Sequence, residues 1–244
     1  MRQVRLLVQY DGTDYAGFQS QPDRPTVQQT LEQALSRLVG EQVSIRAASR
    51  TDAGVHALGQ VVAFTTESPI PAERVPRASN DLLPRAVSCV AGEDCDPAFH
   101  PRYDARGKLY SYRILNRETP SPFIGRYAWH LSRALDVEAM REGGSHLLGR
   151  HDFAAFCASG SAVRDTVREV SRLEISSDAD VVDIRVEGDG FLYMMVRIVI
   201  GTLVEVGLGR MAPGRVAEIL AGCDRDQAGP TAPPQGLCLV RVQY

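Results

Sequence analysis

Lysine is almost missing from this chain. Of 27 basic residues, only Lys108 is a lysine. Arginine suits bidentate phosphate contacts and stacking on bases, although a genome-wide compositional bias produces the same excess. An overall surplus of positive charge is missing too: 30 acidic residues against 27 basic ones leave a net charge of −3, whereas nucleic-acid proteins are often basic. The five cysteines are odd in number and widely spaced, with no Cys-x-x-Cys pair. That pattern argues against a disulfide framework and against a zinc site. Long apolar runs are also lacking. The longest, residues 194–203, is interrupted by Arg197 and is too short to cross a bilayer. Residues 1–8 alternate as a strand does and lack the apolar stretch of a signal peptide. A cytoplasmic location without membrane contact is therefore expected.

What is present fits a globular enzyme. Hydrophobic residues make up 44% and charged residues 23% of 244 positions, ordinary values that argue against disorder. The length permits one large domain or two smaller ones. Charge is segregated along the chain. Between His100 and Arg117 stand five basic residues (Arg102, Arg106, Lys108, Arg113, Arg117), one acid (Asp104) and three tyrosines. Between Asp178 and Asp189 stand five acids and one arginine. The reading is a basic, aromatic stripe and an acidic hairpin that faces elsewhere.

Strand and helix patterns interleave. A strand is expected over residues 4–10, followed by a Gly-rich loop to Pro25. Thr26 and Gln29 form a capping box opening a helix that ends at Gly40. Its apolar positions Val27, Leu31, Ala34, Leu35 and Leu38 share one face. Strands follow at 42–47 and 60–65, a helix at 72–83 and a strand near Val87. Beyond them the pattern gives a strand at 108–115, a helix at 137–148 and a hairpin of 170–175 with 181–186. A largely apolar helix at 192–206, a helix at 216–220 and a strand at 237–242 complete it. This order fits an α+β fold with a mostly antiparallel sheet rather than βαβ repeats.

One short run points to chemistry. Arg50-Thr51-Asp52-Ala53-Gly54-Val55-His56 lies in a loop between two expected strands. Gly54 permits a turn that other residues resist, and Arg50 can hold or steer the Asp52 carboxylate. Taken alone, Arg-Thr-Asp also reads as a turn cap with a surface ion pair. The seven-residue run is more specific. Followed by Gly59-Gln60-Val61, it resembles the catalytic motif of the tRNA pseudouridine synthases of the TruA family. Further blocks stand in the same order across almost the whole chain. They are Tyr10-Asp11-Gly12-Thr13-Asp14-Tyr15-Ala16-Gly17-Phe18-Gln19, with Phe18 where tryptophan is usual, and Phe99-His100-Pro101-Arg102 leading into Lys108-Leu109-Tyr110-Ser111-Tyr112-Arg113. Gly149-Arg150-His151-Asp152-Phe153-Ala154-Ala155-Phe156, Met195-Val196-Arg197 and Gly236-Leu237-Cys238-Leu239 complete the set. Ile198 and Tyr193-Met194 depart from the more polar residues common beside that arginine.

The resemblance implies the pseudouridine synthase fold: two α+β subdomains sharing a continuous, mostly antiparallel sheet with a central cleft. Residues 1–104 would carry the aspartate loop, and residues 105–244 the tyrosine strand and arginine helix. It also implies isomerisation of uridine to pseudouridine at positions 38, 39 and 40 of the tRNA anticodon stem-loop, by a homodimer. The reaction breaks the N1–C1′ bond, rejoins the base through C5 and removes the C5 proton. Nothing is oxidised and no donor group is transferred, so no cofactor or metal is required. Asp52 would act as nucleophile, or as base and electrostatic partner of an oxocarbenium-like C1′. Attack at the sugar, attack at the base and a glycal route all remain open to it. An ionised carboxylate beneath a base needs a nearby cation, and Arg197 is the candidate because an arginine in an apolar helix is expensive unless paired. Tyr110 would stack on the uracil and is a candidate for the C5 proton step. Leu237 would pack against the flipped base, and Arg50 would fill the vacancy that base leaves. Arg106 and Lys108 would meet phosphates, and His56 has no catalytic role in this reading. Two other functions are weighed beside it. A tRNA-binding protein without catalysis would not need the intact Arg50, Asp52, Tyr110 and Arg197. A hydrolase or nucleosidase for small substrates would want a second, paired carboxylate.

Overall fold

In the computed structural model, which describes residues 1–160 and 163–244, these patterns resolve into ten strands and five α-helices. In chain order they are β1 (Arg2–Tyr10), α1 (Val27–Val39), β2 (Arg46–Ala47), β3 (His56–Thr66), α2 (Val75–Asn80), β4 (Val87–Cys95) and β5 (Gly107–Asn116). Then follow β6 (Trp129–Leu131), α3 (Val137–Ser145), β7 (Gly149–Asp152), β8 (Val167–Asp178), β9 (Val181–Gly188), α4 (Met195–Gly207), α5 (Arg215–Gly222) and β10 (Leu237–Gln243). Two units form. Met1–Arg106 with Cys238–Tyr244 make the first, and Gly107–Leu237 the second.

In the first unit β1 runs antiparallel between β3 and β4, with Leu6 facing both Val62 and Gly92. Val4, Leu6, Val8 and Tyr10 alternate into the core, as a strand with one covered face requires. The outer edge of β3 is shared by two partners. β10 pairs in parallel at His56 and Ala57, and β2 pairs antiparallel at Val62 and Ala63. Helix α1 starts where the sequence places it. Thr26 Oγ1 accepts from the Gln29 amide at 3.3 Å, and Gly40 closes the helix at φ 77°. The reciprocal half of the box differs, because the Gln29 side chain accepts the Thr26 hydroxyl and donates to the Gln21 carbonyl instead.

Two expected elements of this unit come out shorter. Residues 42–47 hold Val43 and Ile45 in the core, as alternation predicts, yet only Arg46–Ala47 is strand. Side chains of α1 take the missing ladder bonds: Val43 N donates to Ser36 Oγ at 2.9 Å and Ile45 N to Glu32 Oε1 at 3.0 Å. The expected helix at 72–83 is a 3-10 turn, Ala72–Arg74, leading into the six-residue α2. It stops because the Leu82 and Leu83 amides both turn back to the Ser79 carbonyl. The Asn80 side chain meanwhile pairs with both backbone groups of Cys89 on β4.

In the second unit β5, β9, β8 and β7 form an antiparallel sheet, and β6 adds in parallel beside β5. Helix α4 begins at Met195 rather than at 192, after Met194 takes a left-handed φ of 57°. That conformation costs a non-glycine on the order of 1–3 kcal/mol. Met140 of α3, Ile198 and Leu203 of α4, and Val216 of α5 are fully buried. Each such side chain contributes roughly 1.5–3 kcal/mol by leaving water. Both units are thus α+β and mostly antiparallel, the class the sequence predicts.

One expectation is overturned. The acidic hairpin does not face away from the basic stripe, because β9 is the hydrogen-bonded neighbour of β5 and sets Asp183 opposite Arg113. Arg113 Nε lies 3.5 Å from Asp183, and Arg117 lies 3.3 Å from Asp180. The two charge runs are complementary cross-strand neighbours, so the positive charge left to a polyanion is smaller than the sequence count.

Candidate active site

The loop bearing Asp52 is built from the end of β2 to the start of β3. Ala48 N still bonds the Val61 carbonyl at 2.9 Å, continuing the ladder. At Ser49 the backbone pairing gives way to a side chain. Gln60, fully buried on β3, accepts from Ser49 N at 3.1 Å and donates to Ser49 O at 2.8 Å. The same amide donates to the Tyr10 hydroxyl at 3.3 Å, which lies 2.7 Å from Thr51 Oγ1. Thr51 O accepts from Phe18 N at 3.0 Å, and Gly54 N donates to the Tyr15 carbonyl at 3.3 Å. The first sequence block and the Asp52 run are therefore one structure. Beyond the turn, which Gly54 makes at φ 77°, His56 Nδ1 accepts from Gly12 N at 3.1 Å and lies 3.2 Å from the Asp11 carboxylate. Gly12 has no room for a side chain, since a Cβ there would lie 2.0 Å from the Val55 carbonyl oxygen.

Asp52 sits at the tip of this frame, its side chain neither buried nor fully exposed. Arg50 is exposed, and no ion pair joins it to Asp52 among the described residues. In the same unit His100, Arg102 and Tyr103 form a surface turn with the Tyr103 ring centred 4.3 Å from the His100 ring and tilted 37° to it. Tyr103 is 76% exposed, and Arg106 beside it is exposed as well.

The second unit gathers a different set. Lys108, Tyr110 and Tyr112 project from one face of β5. Tyr110 is buried and meets Phe191 edge-on at 5.3 Å, and Tyr112 meets Trp129 in the same manner at 6.4 Å. Arg197 is the third residue of α4, half-buried, with Nε donating to the Ala232 carbonyl at 2.8 Å. Ala232 N returns a bond to the Arg197 carbonyl at 3.0 Å. This segment can lie on the helix because Gly201 presents no Cβ, which would fall 1.7 Å from the Pro230 oxygen. The next residue, Pro233, accepts the Tyr112 hydroxyl at 2.8 Å. Burial pushes the Tyr112 phenol far up, and the Arg197 charge opposes the shift only in part. Residues 229–236 thus strap α4 to β5 and deliver Leu237, itself buried, at the start of β10.

Sequence reasoning singled out Arg50, Asp52, Arg106, Lys108, Tyr110, Arg197 and Leu237. It missed Tyr10, Thr51 and Gln60 as a connected group, and it missed the strap. A glutamine inside the β-branched run 60–65 was the available signal, since a polar side chain there needs partners if buried.

Comparison with known proteins decides the family. A family model for tRNA pseudouridine synthases matches residues 6–104 and 145–244. The chain belongs to the tRNA pseudouridine synthase family. Its relatives include tRNA pseudouridine synthase A of Thermoanaerobacter sp. (strain X514), 48% identical over 244 residues and 100% of both chains. The corresponding enzyme of Moorella thermoacetica is 48% identical over 243 residues, 99% of each chain. That of Geobacter sulfurreducens is 46% identical over 244 residues and 100% of both chains. This synthase is accordingly an isomerase acting on uridine in tRNA. Among the described residues, no helix of the synthase is long and apolar enough to cross a membrane.

Proposed function

We propose that Asp52 is the catalytic carboxylate of this synthase, and that its targets are uridines 38, 39 and 40 of the tRNA anticodon stem-loop. The observation that carries the first part is the placement of Asp52. It is a half-exposed carboxylate on a loop whose backbone is held from both sides by buried polar side chains. The resemblance of the ordered sequence blocks to the anticodon-modifying synthases supports the second part.

The reaction is an isomerisation whose atoms balance internally. The N1–C1′ bond breaks, the C1′–C5 bond forms, C5 loses its proton and N1 gains one. By any of the three routes, Asp52 has to remain ionised once a base covers it, so a cation must offset its desolvation. Arg197 takes that part. Tyr110 stacks on the uracil, a contact worth roughly 1–3 kcal/mol, and stands nearest in role to the C5 proton step. Leu237 gives the flipped base an apolar wall. Arg50, exposed and unpaired among the described residues, enters the space vacated in the stem and offsets part of the unstacking cost of a few kcal/mol. Arg106 and Lys108 meet backbone phosphates. The working form is a cytoplasmic homodimer that needs no cofactor.

Tritium release from C5-tritiated uridine in unmodified tRNA tests the proposal, with the modified positions mapped afterwards. Asp52→Ala is expected to abolish release while keeping most of the tRNA affinity. Unchanged turnover in that variant refutes the assignment of Asp52. Release that maps outside the anticodon arm refutes the assignment of the substrate site.

A further inference from the structure

The outer edge of β3 changes partner midway. His56 and Ala57 pair with β10, and Val62 and Ala63 pair with β2. Gln60 lies between the two. At that point a regular ladder would bring the backbone of Ser49 directly onto Gln60. Instead the Gln60 side chain performs the pairing, with its carbonyl on Ser49 N and its amide on Ser49 O. The two bonds imitate one rung of a ladder at the length of a side chain. They hold the chain away from β3 just where Arg50, Thr51 and Asp52 depart. The second amide hydrogen of Gln60 goes to the Tyr10 hydroxyl, and Tyr10 reaches Thr51 Oγ1 at 2.7 Å. Tyr10, Thr51 and Gln60 are all buried, and three of the four bonding positions on the Gln60 amide are filled within this group. Such expense in buried polar groups is unusual on a strand otherwise lined by Val61, Val62, Ala63 and Phe64.

We propose that Gln60, acting through Ser49 and through the Tyr10–Thr51 hydroxyl pair, is the positioning device for Asp52. It fixes where the carboxylate stands without touching the substrate. The inference rests on the reading of Asp52 as the catalytic carboxylate. Buried, hydrogen-bonded side chains lock a loop more sharply than backbone packing does, and a displacement of about 1 Å at a reacting group lowers rate on the order of 10²-fold.

The experiment compares single-turnover rates and tRNA affinity for Tyr10→Phe, Thr51→Val, Thr51→Ser and Gln60→Met. The first two remove one hydroxyl each and keep the volume. Tyr10→Phe and Thr51→Val are expected to lower the chemical rate by tenfold or more, on the scale of that displacement, with tRNA affinity unchanged. Thr51→Ser, which retains the hydroxyl, is expected to recover most of the rate. Gln60→Met is expected to lose more than either hydroxyl variant, and Tyr10→Phe keeps the inference testable if Gln60→Met does not fold. Tyr10→Phe combined with Thr51→Val should be no slower than the slower single variant, because both break the same link. Wild-type rates in both hydroxyl variants overturn the inference while leaving Asp52 in its role, whereas turnover that survives Asp52→Asn overturns the reading beneath it. A slow Thr51→Ser with normal affinity also overturns it, since the hydroxyl would then not be what matters.

Discussion

Gly12→Ala offers a sharp test of how the Asp52 loop is held. The added methyl carbon would stand 2.0 Å from the carbonyl oxygen of Val55, a backbone atom with no side-chain freedom to yield. Real contacts of this kind begin at 3.0 Å, so the two strands of the loop must part by at least the difference, 1.0 Å. Gly12 does not occupy a left-handed conformation, so the alanine itself is unstrained. The whole effect comes from lost space. Val55 N bonds the Asp52 carbonyl at 3.1 Å, so motion of Val55 passes directly to the residue bearing the carboxylate. The bond from Gly12 N to His56 Nδ1 lies in the same place and lengthens with it. Overpacking of this size destabilises by about 1–3 kcal/mol, which for a chain of this length lowers the melting temperature by roughly 2–4 °C per kcal/mol. A shift of about 1 Å at the carboxylate lowers turnover on the order of 10²-fold. Tritium release gives the rate, differential scanning calorimetry the stability, and filter binding the tRNA affinity. A folded Gly12→Ala protein with wild-type turnover would refute the claim that the Tyr10–Gln19 block positions Asp52.

Two further expectations concern charge. The Tyr112 phenol is neutral, buried and raised in pKa, so its contribution to stability is complete below the unfolded value near 10 and is lost as pH rises above it. Urea unfolding above pH 10 should therefore show wild-type stability falling faster than that of Tyr112→Phe, by about 1.4 kcal/mol per pH unit; parallel curves would contradict the burial of that hydroxyl. Removing Arg106 or Lys108 should weaken tRNA binding and flatten its dependence on salt by about one counterion each. An unchanged slope would place those cations away from the phosphates.

Most of the framework was legible in local sequence. The Thr26 cap, the Gly40 stop and the alternation of β1 are short-range features, and each is realised within a residue or two of its expected place. Where the reading failed, a distant side chain had intervened. Val43 and Ile45 carry a strand pattern, but their amides bond Ser36 and Glu32 side chains in place of a ladder. No periodicity reports a bond made by another element's side chain. The acidic hairpin misled for a related reason, because segregation along the sequence says nothing about which strands become neighbours. At the candidate site, Asp52 and its flanking glycine stood out because their chemistry is local. Gln60 and Tyr10 did not, since their meaning depends on three segments that meet only in the folded unit.

The last seven residues have a consequence for synthesis. Cys238 and Leu239 pair with His56 and Ala57 in the unit formed by Met1–Arg106, a closure across 182 positions (238 − 56). The edge of β3 that supports the Asp52 loop is thus incomplete until the final strand has been made. Ribosomes add roughly 5–20 residues per second, so the 138 residues from 107 to 244 take about 7–28 s. Throughout that interval the nascent aspartate loop stands on an open sheet edge, which closes only once Cys238 and Leu239 have been added.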